Sequence, residues 1–181
     1  MAASPFRSAD DLMVQYARYH RDRRNIATHF IGIPLIVYAI SVLLARASFD
    51  LAGTRMTAAF LLWAATTAWY LTRGRLALGL GVSVVNGVLV VLAHPAAAGS
   101  TALWLGTGLG TFVFGWMLQF IGHYYEGRKP AFIDDLVGLL VGPMFVTGEA
   151  MFAAGLCQPL AQAIERAAGP THLRDLAHPV A

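Results

Sequence analysis

No Asp, Glu, Lys or Arg interrupts residues 76–125, and shorter gaps of the same kind cover residues 25–45 and 56–72. A helix crosses the ~30 Å hydrocarbon core in about 20 residues, so the longest gap holds two crossings. "AHPAAAGS" (93–100) supplies the Pro and Gly punctuation for a turn between them. The pattern predicts spans near 27–45, 56–72, 76–93 and 101–122. A further apolar run, 136–160, contains Gly142-Pro143 and Glu149. It reads either as a fifth crossing or as a hairpin that enters and returns. Ahead of the spans, Ser8-Ala9-Asp10-Asp11 has the form of a capping box. It opens a helix with Leu12, Met13, Tyr16, Tyr19 and His20 on one broad side, placed on the membrane surface. The expected fold is all-α: a polytopic membrane bundle of four to five transmembrane helices behind an amphipathic N-terminal helix. Residues 1–160 form one membrane domain and 161–181 a polar tail.

Composition agrees with this reading. Of 181 residues, 57% are hydrophobic and 13% charged, against about 25% charged in an ordinary soluble domain. The N-terminus is polar and charged, unlike a cleavable signal peptide. Cys157 is alone, which excludes an internal disulfide. A sequence pI of about 9.4 raises the question of nucleic acid. The basic residues, however, are scattered between apolar spans, as topology signals are. Arg7, Arg18, Arg21, Arg23, Arg24, Arg73, Arg75, Arg128 and Lys129 fall on one side, against Arg46 and Arg55 on the other. That asymmetry puts the N-terminus inside, on the cytoplasmic face of what would be a bacterial inner membrane.

This orientation brings distant histidines to one depth. His20 and His29 lie at the inner end of the first span, and His123 lies at the inner end of the fourth. His94 falls on the opposite face, about 30 Å away; His172 and His178 lie in the tail. Gln119, His123 and Glu126 share one helix face, and so do Asn25 and His29. His20 and His29, nine apart, oppose each other on a straight helix, so a shared ion needs a bend, for which "DRRN" (22–25) is suited. Three imidazoles with carboxylates nearby suit iron, zinc, copper or nickel. The plainer reading is that these side chains sit at headgroup depth because water is near. Glu149 stands out as a carboxylate inside an apolar run. The glycines suit close helix packing, and none forms a nucleotide-binding loop.

Three segments carry a family resemblance. "HRDRRNIATHFIGIP" (20–34) has the form H-x4-N-x3-H-x2-G-x-P, followed by "QFIGHYYEGRKPAFIDDL" (119–136) and "GPMFVTGE" (142–149). Together they resemble the signatures of the 2-hydroxy fatty acid dioxygenase family of phytosphingosine breakdown, over about residues 12–155. The resemblance implies an Fe(II)-dependent membrane oxidoreductase. Its substrates would be dioxygen and a 2-hydroxy long-chain fatty acid, with membrane lipid as its surroundings, and its product an acid one carbon shorter, with carbon dioxide released. It makes His20, His29 and His123 the metal ligands. Asn25, Gln119 and Glu126 become outer-sphere or substrate-orienting groups, and Glu149 a further ligand or proton carrier. Two departures stand out. Two residues separate His123 from Glu126 where many relatives have three, and "IDDL" replaces Asp-Asn-Leu.

Other functions fit the same pattern. One is another metal-dependent lipid hydroxylase, or a zinc hydrolase working through an activated water. The other is a non-enzymatic small transport or assembly protein. A transporter needs polar groups near mid-membrane, where apart from Asn86 and Glu149 this chain offers few.

Overall fold

The computed structural model describes residues 6–130 and 137–177. The "AFIDDL" part of the second signature and His178 therefore lie outside the described residues. Among those described, seven helices run in order: α1 (Ala9–Ala17), α2 (Arg23–Ala45), α3 (Ala58–Leu71), α4 (Leu76–Ala98), α5 (Thr101–Glu126), α6 (Gly138–Ala153) and α7 (Gln158–Ala168). Helices α2, α4 and α5 are each long and apolar enough to cross a membrane. With its 14 residues α3 is a shorter apolar helix, spanning about 21 Å at 1.5 Å per residue. Helices α6 and α7 form a pair bent by 114°, a broken span or a re-entrant loop. The expected helical membrane bundle is thus present, with its second member shorter and its last bent.

The boundaries follow from local chemistry. Ser8 caps α1, its hydroxyl accepting from the Asp11 backbone N–H at 3.2 Å. Asp22 caps α2 through the Arg24 N–H at 2.8 Å. The turn expected at 93–100 is confined to its end, because α4 continues through Pro95 to Ala98 before Gly99. A proline in the last turn forfeits a single ladder bond. Ser100 then caps α5. Sequence periodicity missed a hairpin between the first two long apolar segments. β1 (Ser48–Leu51) pairs antiparallel with β2 (Thr54–Thr57), across a two-residue turn at Ala52 and Gly53 with positive φ at both. It displaces the start of the expected 56–72 span to Ala58.

Helix α1 is amphipathic, but its apolar face meets protein rather than lipid. Leu12 and Met13 are buried with Tyr70, Leu78, Phe145 and Leu160 in the main core, which joins α1, α2, α3, α4, α6 and α7. The lipid-facing stripe is instead on the long helices, such as Leu109, Val113, Met117 and Phe120 of α5, all exposed.

The most extensive helix–helix contact is between α2 and α5. Gly108, Gly115 and Gly122 recur every seven residues along the α5 face that meets α2. A Cβ on Gly115 would lie 2.9 Å from the Gly32 carbonyl oxygen, and one on Gly32 would lie 2.8 Å from that of Gly115. Backbone here approaches backbone, as small residues permit in membranes.

Gly115→Val should therefore lower the melting temperature in detergent, since overpacking costs about 1–3 kcal/mol. Gly106→Ala and Gly110→Ala, on the same helix where an added Cβ meets nothing within 4 Å, should leave it unchanged or raise it. An equal loss in all three would show that the close approach is not what matters.

Candidate metal centre

Residues 18–22, between α1 and α2, make the bend that brings His20 back over the start of α2. The bend thus overlaps "DRRN" only at Asp22, since α2 already begins at Arg23. His20, His29 and His123 are all buried, and one ring nitrogen from each lies within 4.8 Å of the others. The ring centroids are 4.6, 4.9 and 5.1 Å apart in pairs. His94 is elsewhere, with Nε2 3.4 Å from the Thr57 hydroxyl.

Hydrogen bonds decide which nitrogens are free. Nδ1 of His20 is 2.7 Å from the Tyr16 carbonyl oxygen, and Nδ1 of His29 is 2.9 Å from that of Asn25. A carbonyl oxygen only accepts, so both Nδ1 atoms carry the proton. Burial, with the nearby His29 and His123, pushes the His20 pKa well below the ordinary histidine value. A neutral ring with Nδ1–H leaves Nε2 bare. The Nε2 atoms of His20 and His29 are nevertheless 3.1 Å apart, two lone pairs with no proton to share. Nδ1 of His123 is buried without a hydrogen-bond partner. One nitrogen from each ring within 4.8 Å of the others suits a cation that accepts imidazole, and such histidines characteristically donate their other N–H to a carbonyl. The residues fit a metal.

The His20 ring is clamped by aromatics. It stacks on Tyr16 at 4.0 Å and 6° and lies 5.4 Å from the Phe145 ring. Glu126, at the end of α5, holds the link. Its carboxylate accepts from the Arg21 N–H at 2.9 and 3.0 Å, from the Asp22 N–H at 2.8 Å and from the Asn25 side-chain amide at 3.0 Å. That amide also donates to the Tyr19 carbonyl at 3.2 Å. Glu126 and Asn25 thus brace the His20 segment against α5. Gln119 is 5% exposed and its Nε2 has no partner. It lines a cavity of about 230 Å³ together with His29 and His123. Glu149 lies outside the three-histidine group, with Oε1 3.8 Å from Nη2 of Arg21.

Sequence reasoning missed a second brace, made by the segment after α7. The Arg23 N–H donates to the His172 carbonyl and the His172 N–H to that of Arg21, each at 2.9 Å. The buried Asp22 carboxylate accepts from the Arg174 N–H at 2.8 Å and from the Arg24 guanidinium at 2.7 Å. Burial pushes the Asp22 carboxyl up, but these bonds outweigh it and hold the pKa at about 2. The Arg174 guanidinium lies where a Cβ on Gly127 would sit, and Gly127 ends α5 with φ 69°. Tyr16 was legible as an aromatic four residues before His20, and Asp22 as a cap before an apolar run. Nothing in the tail sequence marks the backbone pairing.

A family model described as 2-hydroxy-palmitic acid dioxygenase Mpo1-like matches residues 6–154. The 2-hydroxy-palmitic acid dioxygenase MPO1 of Saccharomyces cerevisiae is 31% identical over 154 residues, covering 83% of this chain and 83% of its own. No solved structure matches.

Glu126→Ala, and separately removal of residues 169–181, should weaken metal retention against a chelator by about 10–100-fold, the usual cost of losing outer-sphere support. Glu149→Gln should leave retention within a few-fold of wild type. Full retention in the first two would mean that the braces do not position His20.

Proposed function

We propose, from the premise that this chain belongs to the 2-hydroxy-palmitic acid dioxygenase Mpo1-like family, that it is an iron(II)-dependent membrane dioxygenase acting on 2-hydroxy fatty acids. In the net reaction one dioxygen is consumed, and the acid leaves one carbon shorter with carbon dioxide and water. The observation that carries the reading is the pair of bare Nε2 atoms on His20 and His29, 3.1 Å apart, with a ring nitrogen of the buried His123 within 4.8 Å of them. Three imidazoles leave positions open for substrate and dioxygen, and iron(II) bound there would supply one-electron oxygen chemistry.

The chain's own residues divide the remaining work. The Tyr16 and Asn25 carbonyls keep the protons of His20 and His29 on Nδ1, so both rings present Nε2. Glu126 holds the backbone of residues 21 and 22, and with it the approach of His20. Tyr16 and Phe145 exclude water from the His20 ring. The unpartnered Nε2 of Gln119 is the donor for an oxygen of the 2-hydroxy carboxylate. The acyl chain lies at bilayer depth while its head reaches this boundary, which on our reading of the arginine distribution faces the cytoplasm across a bacterial inner membrane.

Anaerobically purified protein should carry near-stoichiometric iron and consume oxygen with a sixteen-carbon 2-hydroxy acid. His20→Ala, His29→Ala and His123→Ala should each lose both, and His94→Ala neither. Gln119→Ala should keep its iron and raise KM by about tenfold, as expected when a buried substrate group loses its partner. Zinc in place of iron, with no oxygen uptake, would favour the hydrolase. No metal after reconstitution would favour a non-enzymatic membrane protein.

A further inference from the structure

The cavity at the histidines does not stop at the metal-binding residues. It is polar at one end, where His29, His123 and Gln119 meet, and apolar beyond, between Ile33, Ile36 and Ile40 of α2, Phe112 and Trp116 of α5 and Leu139 of α6. On α2 the farthest lining residue from His29 is Ile40, and on α5 the farthest from His123 is Phe112. Each is eleven positions away, so the two antiparallel helices frame one slot about 16 Å long at 1.5 Å per residue. That is about half of the ~30 Å hydrocarbon core, the depth of one leaflet.

Two neighbours define its side and floor. Phe112 and Trp116 also line a groove on the outer surface of α5, so they stand between the slot and lipid. Val37, Ile40, Leu139 and Pro143 also line a second cavity of about 170 Å³, so they form the partition between the two, with Ile40 its member farthest from His29 along α2.

We propose that this slot holds the alkyl chain of a single-chain amphiphile, carboxylate end at Gln119 and methyl end at Ile40, with entry sideways from the bilayer past Trp116 and with Ile40 as the residue that sets chain length. The unpartnered Nε2 of Gln119 at the polar end calls for a ligand oxygen, and beyond Tyr16 and the histidines the described lining residues offer only apolar contact. One hydrocarbon chain fits a slot one helix-gap wide, where a two-chain lipid does not. The inference rests on the proposed reaction for the identity of the head group, but its test reads binding alone.

The probe is 2-hydroxyhexadecanoic acid with a diazirine at its terminal carbon, photolysed with the full-length protein in detergent and mapped by mass spectrometry. Labels should fall on Ile40, Phe112 and their neighbours. Ile40→Trp should weaken competition by the unlabelled sixteen-carbon acid at least tenfold, while a ten-carbon acid competes as before. Ile40→Ala, opening the partition, should improve competition by a twenty-two-carbon acid several-fold. Labels confined to Val113, Met117 and the outer face of α5, or no saturable labelling, would overturn the slot. An unchanged length profile in both variants would overturn the role of Ile40. Saturable labelling in the slot without oxygen uptake would keep the slot and sink the reaction; oxygen uptake with labelling elsewhere would do the reverse.

Discussion

The Glu126 carboxylate, holding the two backbone N–H groups that follow His20, is the contact on which the rest of the site depends. A carboxylate buried to 9% exposure is tolerated only when its oxygens are satisfied. Here Arg21, Asp22 and Asn25 satisfy them with four contacts of 2.8 to 3.0 Å. The same bonds place the end of α5 against the start of α2 and hold open the bend that α1 needs in order to fold back. Without them His20 has no reason to face His29. Hydrogen bonds to charged groups contribute about 1.5–3 kcal/mol each, enough to impose this geometry on a link with little apolar surface of its own.

The glycine face of α5 does the complementary work. Gly115 and Gly122 let α5 approach α2 until His123 and His29 come within reach of one ion, and Gln119 between them meets Gly32 at the head of the slot. The glycine side chains that are missing leave the room in which the functional side chains sit. Packing and chemistry thus share one helix face: 108, 115 and 122 bring the backbones together, and 119, 123 and 126 carry the polar groups.

Much of this was legible in the sequence because it is periodic. The spans follow from gaps in charge, and the common depth of His20, His29 and His123 follows from counting crossings. Gln119, His123 and Glu126 declare their shared face by spacing alone. The partner of Glu126 was not legible, because its main donors are backbone N–H groups, which every residue but proline has. The hairpin at 48–57 hid because its turn, Ala52-Gly53, lacks the Asn-Gly signature. Helix α1 looked like an interfacial helix because an apolar stripe is the same whether lipid or α6 covers it. The brace from residues 172–174 is made almost wholly of main-chain atoms and of a charge, Asp22, whose partner is 152 residues away.

That separation sets an order of events. Asp22 leaves the ribosome long before Arg174 is made, by roughly 8–30 s at 5–20 residues per second. During that interval α2 through α5 can insert while the His20 link has only Glu126 to hold it. Until Arg174 emerges, the link that carries His20 therefore has the Glu126 contacts without the Asp22–Arg174 bond. The contact between Asp22 and Arg174 is thus among the last of the site's supports that can form.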